Sequence, residues 1–185
     1  MRRRRIVQLT VVVVAIVVAI ILLGGHLPGC APSPTADITF TMALDTAQKV
    51  GVAYNIRYLP TTVLIDEEGI VRSIRVGPFG SKEDLISWLE EITSRESTPP
   101  HAGVAPSVGH VAPDFILPTL EGEAVELSQL RGKWVLINFW ATWCPACVAQ
   151  QPHLQAAFVE TGEKVEFIGI NLGESEQKVR EHIRG

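Results

Sequence analysis

From residue 134 the chain reads Trp134-Val-Leu-Ile-Asn-Phe-Trp140, an apolar run interrupted only by Asn138. A short apolar run without alternation predicts a strand buried on both faces of a sheet. Val165 to Asn171 has the same character and predicts a second buried strand. Between them the pattern predicts a helix from about Pro145 to Glu160, with Pro152 expected to kink it. Ser175 to Ile183 reads as a final amphipathic helix. Upstream, Ile38, Phe40, Met42 and Leu44 alternate as in a strand, and Asp45 is placed to cap a short helix running to Tyr54. Val63-Leu64-Ile65 and Ile70 to Val76 flank the turn Asp66-Glu67-Glu68-Gly69, the pattern of a hairpin. Ser81 followed by Asp84 suggests a capping box, after which Leu85, Ile86, Leu89 and Ile92 fall at helical spacing. Asp114 to Leu117 and Ala124 to Leu127 flank Glu121-Gly122-Glu123, a second hairpin. No internal repeat is visible.

The N-terminus follows a different rule. Met1-Arg2-Arg3-Arg4-Arg5 is a basic cap, and Ile6 to Leu23 is apolar except for Gln8 and Thr10. As a helix that run would rise about 27 Å, close to the roughly 30 Å of bilayer hydrocarbon. Arginines stay on the cytoplasmic side, so the rest of the chain is expected to face outward. Residues 1–23 are therefore read as a basic cap with a transmembrane or signal-anchor segment. Residues 24–36, rich in proline and glycine, form a tether. Leu27-Pro28-Gly29-Cys30 resembles a lipoprotein processing site, with Cys30 a possible lipidation point. The proline departs from the small residue usual there, and the apolar run exceeds the roughly 7–15 residues of an ordinary signal sequence. An uncleaved anchor is the expectation, and either outcome places the domain on the outer face of the cell membrane.

Charge narrows the partners. The 185 residues carry a net charge of −4, and without the four arginines of residues 1–23 the remainder carries −8. That balance, with no basic stripe interleaved with aromatics, disfavours nucleic acid. Roughly 150 residues remain beyond the anchor and tether, enough for one core. Residues 95–107 (Glu96-Ser-Thr-Pro-Pro-His-Ala-Gly-Val-Ala-Pro106 at their centre) are a linker by composition. They separate segment 37–94 from segment 108–185.

Three cysteines are present. Cys144 and Cys147 lie within Trp143-Cys-Pro-Ala-Cys147, where the predicted strand gives way to the predicted helix. Two thiols at that spacing can close and open a disulfide. The unpaired N–H groups and dipole of a helix N-terminus bias the first sulfur toward thiolate. An extracytoplasmic compartment permits disulfides. A structural zinc site needs four ligands, and neither a second Cys-x-x-Cys nor a His pair is available.

Several stretches carry a resemblance. Val108-Gly-His-Val-Ala-Pro-Asp-Phe115, Leu127-Ser-Gln-Leu-Arg-Gly-Lys133, Asn138-Phe-Trp-Ala-Thr-Trp-Cys-Pro-Ala-Cys147 and Gly169-Ile-Asn-Leu-Gly-Glu-Ser175 resemble the first half of a TlpA/ResA-type thioredoxin-like protein. Leu44-Asp-Thr46, Ala53-Tyr54, Leu59-Pro-Thr-Thr62 and Ile65-Asp-Glu-Glu-Gly69 resemble the second half of the same family. The halves stand in reversed order. The resemblance implies an α/β thioredoxin-like fold, a central mixed sheet flanked by helices, behind the N-terminal anchor. Segment 37–94 would be its C-terminal half and 108–185 its N-terminal half. A circularly permuted monomer, a dimer exchanging halves, and a fragment of a rearranged or tandem product would each satisfy the sequence. The permuted monomer is preferred, because a linker of about a dozen residues spans on the order of 35 Å when extended.

The resemblance also implies roles. Cys144 would attack a substrate disulfide with an exposed sulfur, and the more buried Cys147 would resolve the mixed disulfide. Pro60 would be a cis-proline facing the pair, with Leu59 offering backbone groups to substrate. Trp143 would shape the substrate surface, and Pro145 and Ala146 would tune the potential. The redox-active disulfide would be the only prosthetic element, with neither metal nor other cofactor. Implied partners are protein disulfides, apocytochrome c among them, and a membrane thiol–disulfide electron donor. The activity implied is a membrane-tethered protein disulfide reductase of cytochrome c-type biogenesis. Two departures stand out: Gln150 where many members carry Glu, and Asn138 where thioredoxins proper have a buried Asp. A copper metallochaperone using the same thiols and a non-catalytic product of a rearranged gene are the rival readings. The peroxidase pattern Pro-x-x-x-Thr-x-x-Cys is absent.

Overall fold

A computed structural model of the chain describes residues 38–95 and 103–184. The apolar run, the tether and Cys30 lie outside the described residues, as does most of the linker. Among the described residues, no helix is long and apolar enough to cross a membrane.

The elements are β1 (Thr41–Asp45), α1 (Lys49–Ala53), β2 (Thr61–Ile65), β3 (Val71–Val76), α2 (Lys82–Thr93), β4 (Ile116–Pro118), β5 (Ala124–Glu126), β6 (Trp134–Trp140), α3 (Pro145–Thr161), β7 (Val165–Leu172) and α4 (Glu176–Arg184). Five strands form one sheet in the order β1-β7-β6-β2-β3, and β4 pairs with β5 as a separate hairpin. The β1–β7 and β7–β6 pairings are parallel. The β6–β2 and β2–β3 pairings are antiparallel. The sheet is mixed, and its two halves come from segments separated by the linker in sequence.

Period-two alternation divides the core. Leu64, Leu136, Trp140 and Phe167 point to one face, where Leu85, Leu89 and Ile92 of α2, Leu154 and Ala157 of α3 and Val179 of α4 cover them. Val63, Ile65, Val135, Ile137, Phe139, Ile168 and Ile170 point to the other, against Val50, Tyr54, Phe115 and Leu127. Residues of β6 alternate between the two faces and all but Trp134 are buried, as an unbroken apolar run requires. Gly169 of β7 has a packing reason: a Cβ there would lie 2.5 Å from Met42 Sδ and 3.3 Å from Phe40.

Several local expectations are refined. The first strand begins at Thr41, three residues later than the alternation suggests. Asp45 serves α1 from below its start, its carboxylate accepting from Lys49 N and Gly51 N, while Gln48 is the N-cap residue. Ser81 caps α2 by accepting from Asp84 N, but the Asp84 carboxylate turns to Gly80 N and Arg75. The reciprocal half of the capping box is therefore missing, because a guanidinium is the stronger partner. Helix α3 continues through Pro152 to Thr161 without ending there. The end of the linker is not free chain: Val104 bridges Val111, and Ala105 N donates to Val111 O.

Candidate active site

Strand β6 delivers the site. It ends at Trp140, and Ala141–Cys144 turns back, with Cys144 N donating to Ala141 O at 3.2 Å. Helix α3 then starts with Pro145 in its first turn, where a missing N–H is harmless and the fixed φ suits a helix. Cys144 is the N-cap residue of α3, and its sulfur accepts from Cys147 N at 3.2 Å. One helix N–H is thus directed at the first sulfur, which sits at the helix N-terminus, the arrangement that favours a thiolate once the bond opens. Cys144 and Cys147 are joined as a disulfide, with Cα atoms 5.2 Å apart.

Exposure falls in the expected order, but the first sulfur is less open than the sequence suggests. Cys144 is 5 % exposed and Cys147 fully buried. The closed disulfide belongs to the apolar cluster on the α2/α3 face, which covers both cysteines. Trp143 stands out at 65 % exposed. Pro145 is exposed and Ala146 half-buried.

The other half of the sheet reaches the same end. The Leu59–Pro60 bond is cis. Thr61 of β2 pairs with Phe139 of β6, and this antiparallel register places Pro60 level with Trp140, where β6 gives way to the cysteine turn. Pro60 is buried, and half-buried Leu59 packs against the cluster that contains both cysteines. Pro60 O accepts from Gly77 N at 2.8 Å, and Tyr58 O accepts from Thr61 Oγ1 at 2.7 Å, which ties down the loop on both sides.

One turn beyond Cys147 along α3, Gln150 starts a buried chain of neutral polar groups. Asn138 is 3 % exposed and Gln150 is 1 % exposed. Gln150 Nε2 donates to Asn138 Oδ1 (3.3 Å), and Asn138 Nδ2 donates to Thr62 Oγ1 (2.9 Å). Gln150 Oε1 accepts from Phe79 N at 3.2 Å. Asn138 and Gln150 are thus parts of one connected chain of polar groups joining β2, β6, α3 and the loop before α2.

A residue with no assigned role completes the surroundings. Glu174, in the loop between β7 and α4, accepts from both the backbone N–H and the hydroxyl of Thr142, each at 2.7 Å. Each member lies in a stretch singled out in the sequence, but they are 32 residues apart and no local pattern pairs them. Among the described residues, no group of three or more His, Cys, Asp or Glu side chains is placed to hold a metal ion.

The mixed sheet, its flanking helices and a Cys-x-x-Cys at the start of α3 define a thioredoxin-like α/β domain. Residues 108–184 match the model of the AhpC/TSA family. The same region resembles proteins named thiol-disulfide oxidoreductase ResA. It is 42 % identical over 76 residues to that of Halalkalibacterium halodurans, covering 40 % of this chain and 43 % of the relative. It is 43 % identical over 81 residues to that of Oceanobacillus iheyensis, covering 41 % and 42 % respectively. For Bacillus cereus the figures are 37 % over 78 residues, covering 42 % and 45 %. The chain therefore spans less than half the length of these relatives.

Proposed function

We propose that this chain is a membrane-tethered, extracytoplasmic thiol–disulfide oxidoreductase that reduces protein disulfides through Cys144 and Cys147. The observation that carries the reading is the disulfide itself, set at the N-terminus of α3 with the Cys147 N–H directed at the Cys144 sulfur. In the reduced protein the Cys144 thiolate attacks one sulfur of a substrate disulfide. The substrate S–S bond breaks, a mixed disulfide forms, and the displaced sulfur leaves as a thiolate that takes a proton. Cys147, deprotonated, then attacks Cys144 Sγ, which releases the second substrate thiol and closes Cys144–Cys147. Two electrons pass to the substrate, and an external dithiol must return them before the next cycle.

Exposed Trp143 and the Leu59–Pro60 loop form the rim on which a substrate segment would lie. The resemblance to ResA proteins supports apocytochrome c cysteines as a substrate class and a membrane thiol carrier as donor. The basic cap and apolar run of residues 1–23 support the tether and the outward orientation. Pairing of β2 with β6 and of β1 with β7 within one chain supports a circularly permuted domain, since segment 37–94 resembles the half that the family carries C-terminal to its counterpart of 108–185.

Insulin reduction by dithiothreitol, catalysed by the full-length chain in mild detergent, tests the activity. Wild type is expected to accelerate the reaction and Cys144→Ser to abolish the acceleration. Catalysis retained in that variant would refute the assignment.

A further inference from the structure

Glu174 is a buried carboxylate that the thiol chemistry leaves without a role. It is 7 % exposed. Its Oε2 accepts from Thr142 N at 2.7 Å and Asn171 Nδ2 at 2.8 Å. Its Oε1 accepts from Thr142 Oγ1 at 2.7 Å and lies 2.6 Å from Lys178 Nζ. Burial alone would raise its pKa. The Lys178, Asn171 and Thr142 donors outweigh burial and bring it down to about 2, so the group is ionised wherever thiols react. Both hydrogen-bond donors of Thr142 are thus gripped by the two oxygens of one fixed anion.

Thr142 stands two residues before Cys144, inside the turn between β6 and α3. That turn holds itself through Cys144 N to Ala141 O. Its tie to the neighbouring β7–α4 loop is the Thr142–Glu174 clamp. We propose that Glu174 is a positioning residue for the dithiol: through Thr142 it fixes the turn that presents Trp143 and the Cys144 sulfur to an incoming disulfide. The proposal rests on the oxidoreductase reading. Attack on a disulfide needs the incoming sulfur in line with the bond that breaks, and a displacement of about 1 Å at such a centre slows reaction by as much as about 100-fold.

The test uses the full-length chain with insulin as the disulfide substrate. Glu174→Ala is expected to lower the second-order rate constant about 10- to 100-fold. Glu174→Gln keeps an oxygen for Thr142 N and Asn171 and sets an amide N–H donor on the Thr142 hydroxyl, while the exposed Lys178 ammonium can swing into solvent, so it should stay within about threefold of wild type. Alkylation of reduced Cys144 by iodoacetamide, which needs no alignment with a second sulfur, should change less than about twofold in either variant. A merely structural role would instead move alkylation together with exchange as the fold loosens. A folded Glu174→Ala protein that reduces insulin at the wild-type rate would overturn the proposal, as would a Glu174→Gln protein as slow as Glu174→Ala. If Glu174→Ala does not fold, Thr142→Val decides: slower exchange with unchanged alkylation supports the clamp, and a wild-type exchange rate overturns it. An inactive wild type would instead sink the underlying oxidoreductase reading, whereas an active wild type matched by Glu174→Ala sinks the clamp alone.

Discussion

At position 150 the chain places an amide, closed to solvent, where a carboxylate would titrate. Gln150 joins Phe79 N to Asn138, and Asn138 joins Thr62. Every member is neutral, so the pH dependence of exchange should follow the thiols alone and show no further ionisation between about pH 4 and 7. Gln150→Glu should add one, visible as an extra inflection in a pH–rate profile; identical profiles would mean that this site does not communicate with the dithiol. Gln150→Ala leaves Asn138 Oδ1 and Phe79 N without their partner, and urea unfolding should register a loss of about 1–3 kcal/mol. Glu174 acts with the opposite sign of design, a charge held in place. Its pKa falls from 4.5 to about 2 on folding. A depressed carboxylate stabilises fully above its unfolded value, and that stabilisation is lost as pH drops through 4.5 toward 2. The full contribution is about 3 kcal/mol, and Glu174→Ala should flatten the decline in unfolding free energy across that interval. An equally steep decline in the variant would assign the acid sensitivity to other carboxylates.

Among elements, α2 shows how local signals and longer contacts share the work. Ser81 accepts from Asp84 N at 3.2 Å, so Ser81→Ala should cost about 1 kcal/mol in chemical denaturation. Arg75 holds the Asp84 carboxyl below its usual range, with help from Gly80 N–H, and its guanidinium lies 4.2 Å from the centre of the Phe79 ring. Such tertiary partners explain why the capping box is read correctly at Ser81 and incorrectly at Asp84. The buried strands were legible because continuous apolar runs admit few alternatives: the sequence reading of 134–140 coincides with β6. The short helix α1 was harder, since its start is set by Gln48 in a left-handed conformation and by Asp45 reaching up from β1. The Cys-x-x-Cys turn and the proline loop were legible as chemistry. The clamp on Thr142 was not, because hydrogen bonds between distant loops leave no period in the sequence.

At the scale of the molecule, the order of segments and the order of strands part company. Residues 41–76 supply β1, β2 and β3, which occupy both edges of the sheet, while β6 and β7 from the later segment fill its centre between β1 and β2. Hydrophobic pattern names the strands, yet only long-range pairing such as Thr61 with Phe139 sets their neighbours. The proposed permutation makes the order of the two segments a matter of connection rather than of contact. A rearranged chain carrying 108–185 before 37–94 should then catalyse insulin reduction within about threefold of the natural order, because the same contacts assemble the site. A rearranged chain that folds cooperatively but lacks activity would show that the present connection shapes the site.

In the proposed cycle Cys144 exchanges disulfides with a protein substrate and Cys147 resolves the product, so a variant without Cys147 should stall at the mixed disulfide. Cys147→Ser, in the full-length chain reduced and then mixed with insulin, should accumulate a covalent adduct whose peptide map links Cys144 to an insulin cysteine, and dithiothreitol should release it. No adduct at Cys144, or adducts spread equally over Cys30 and Cys144, would mean that Cys144 is not the attacking thiol.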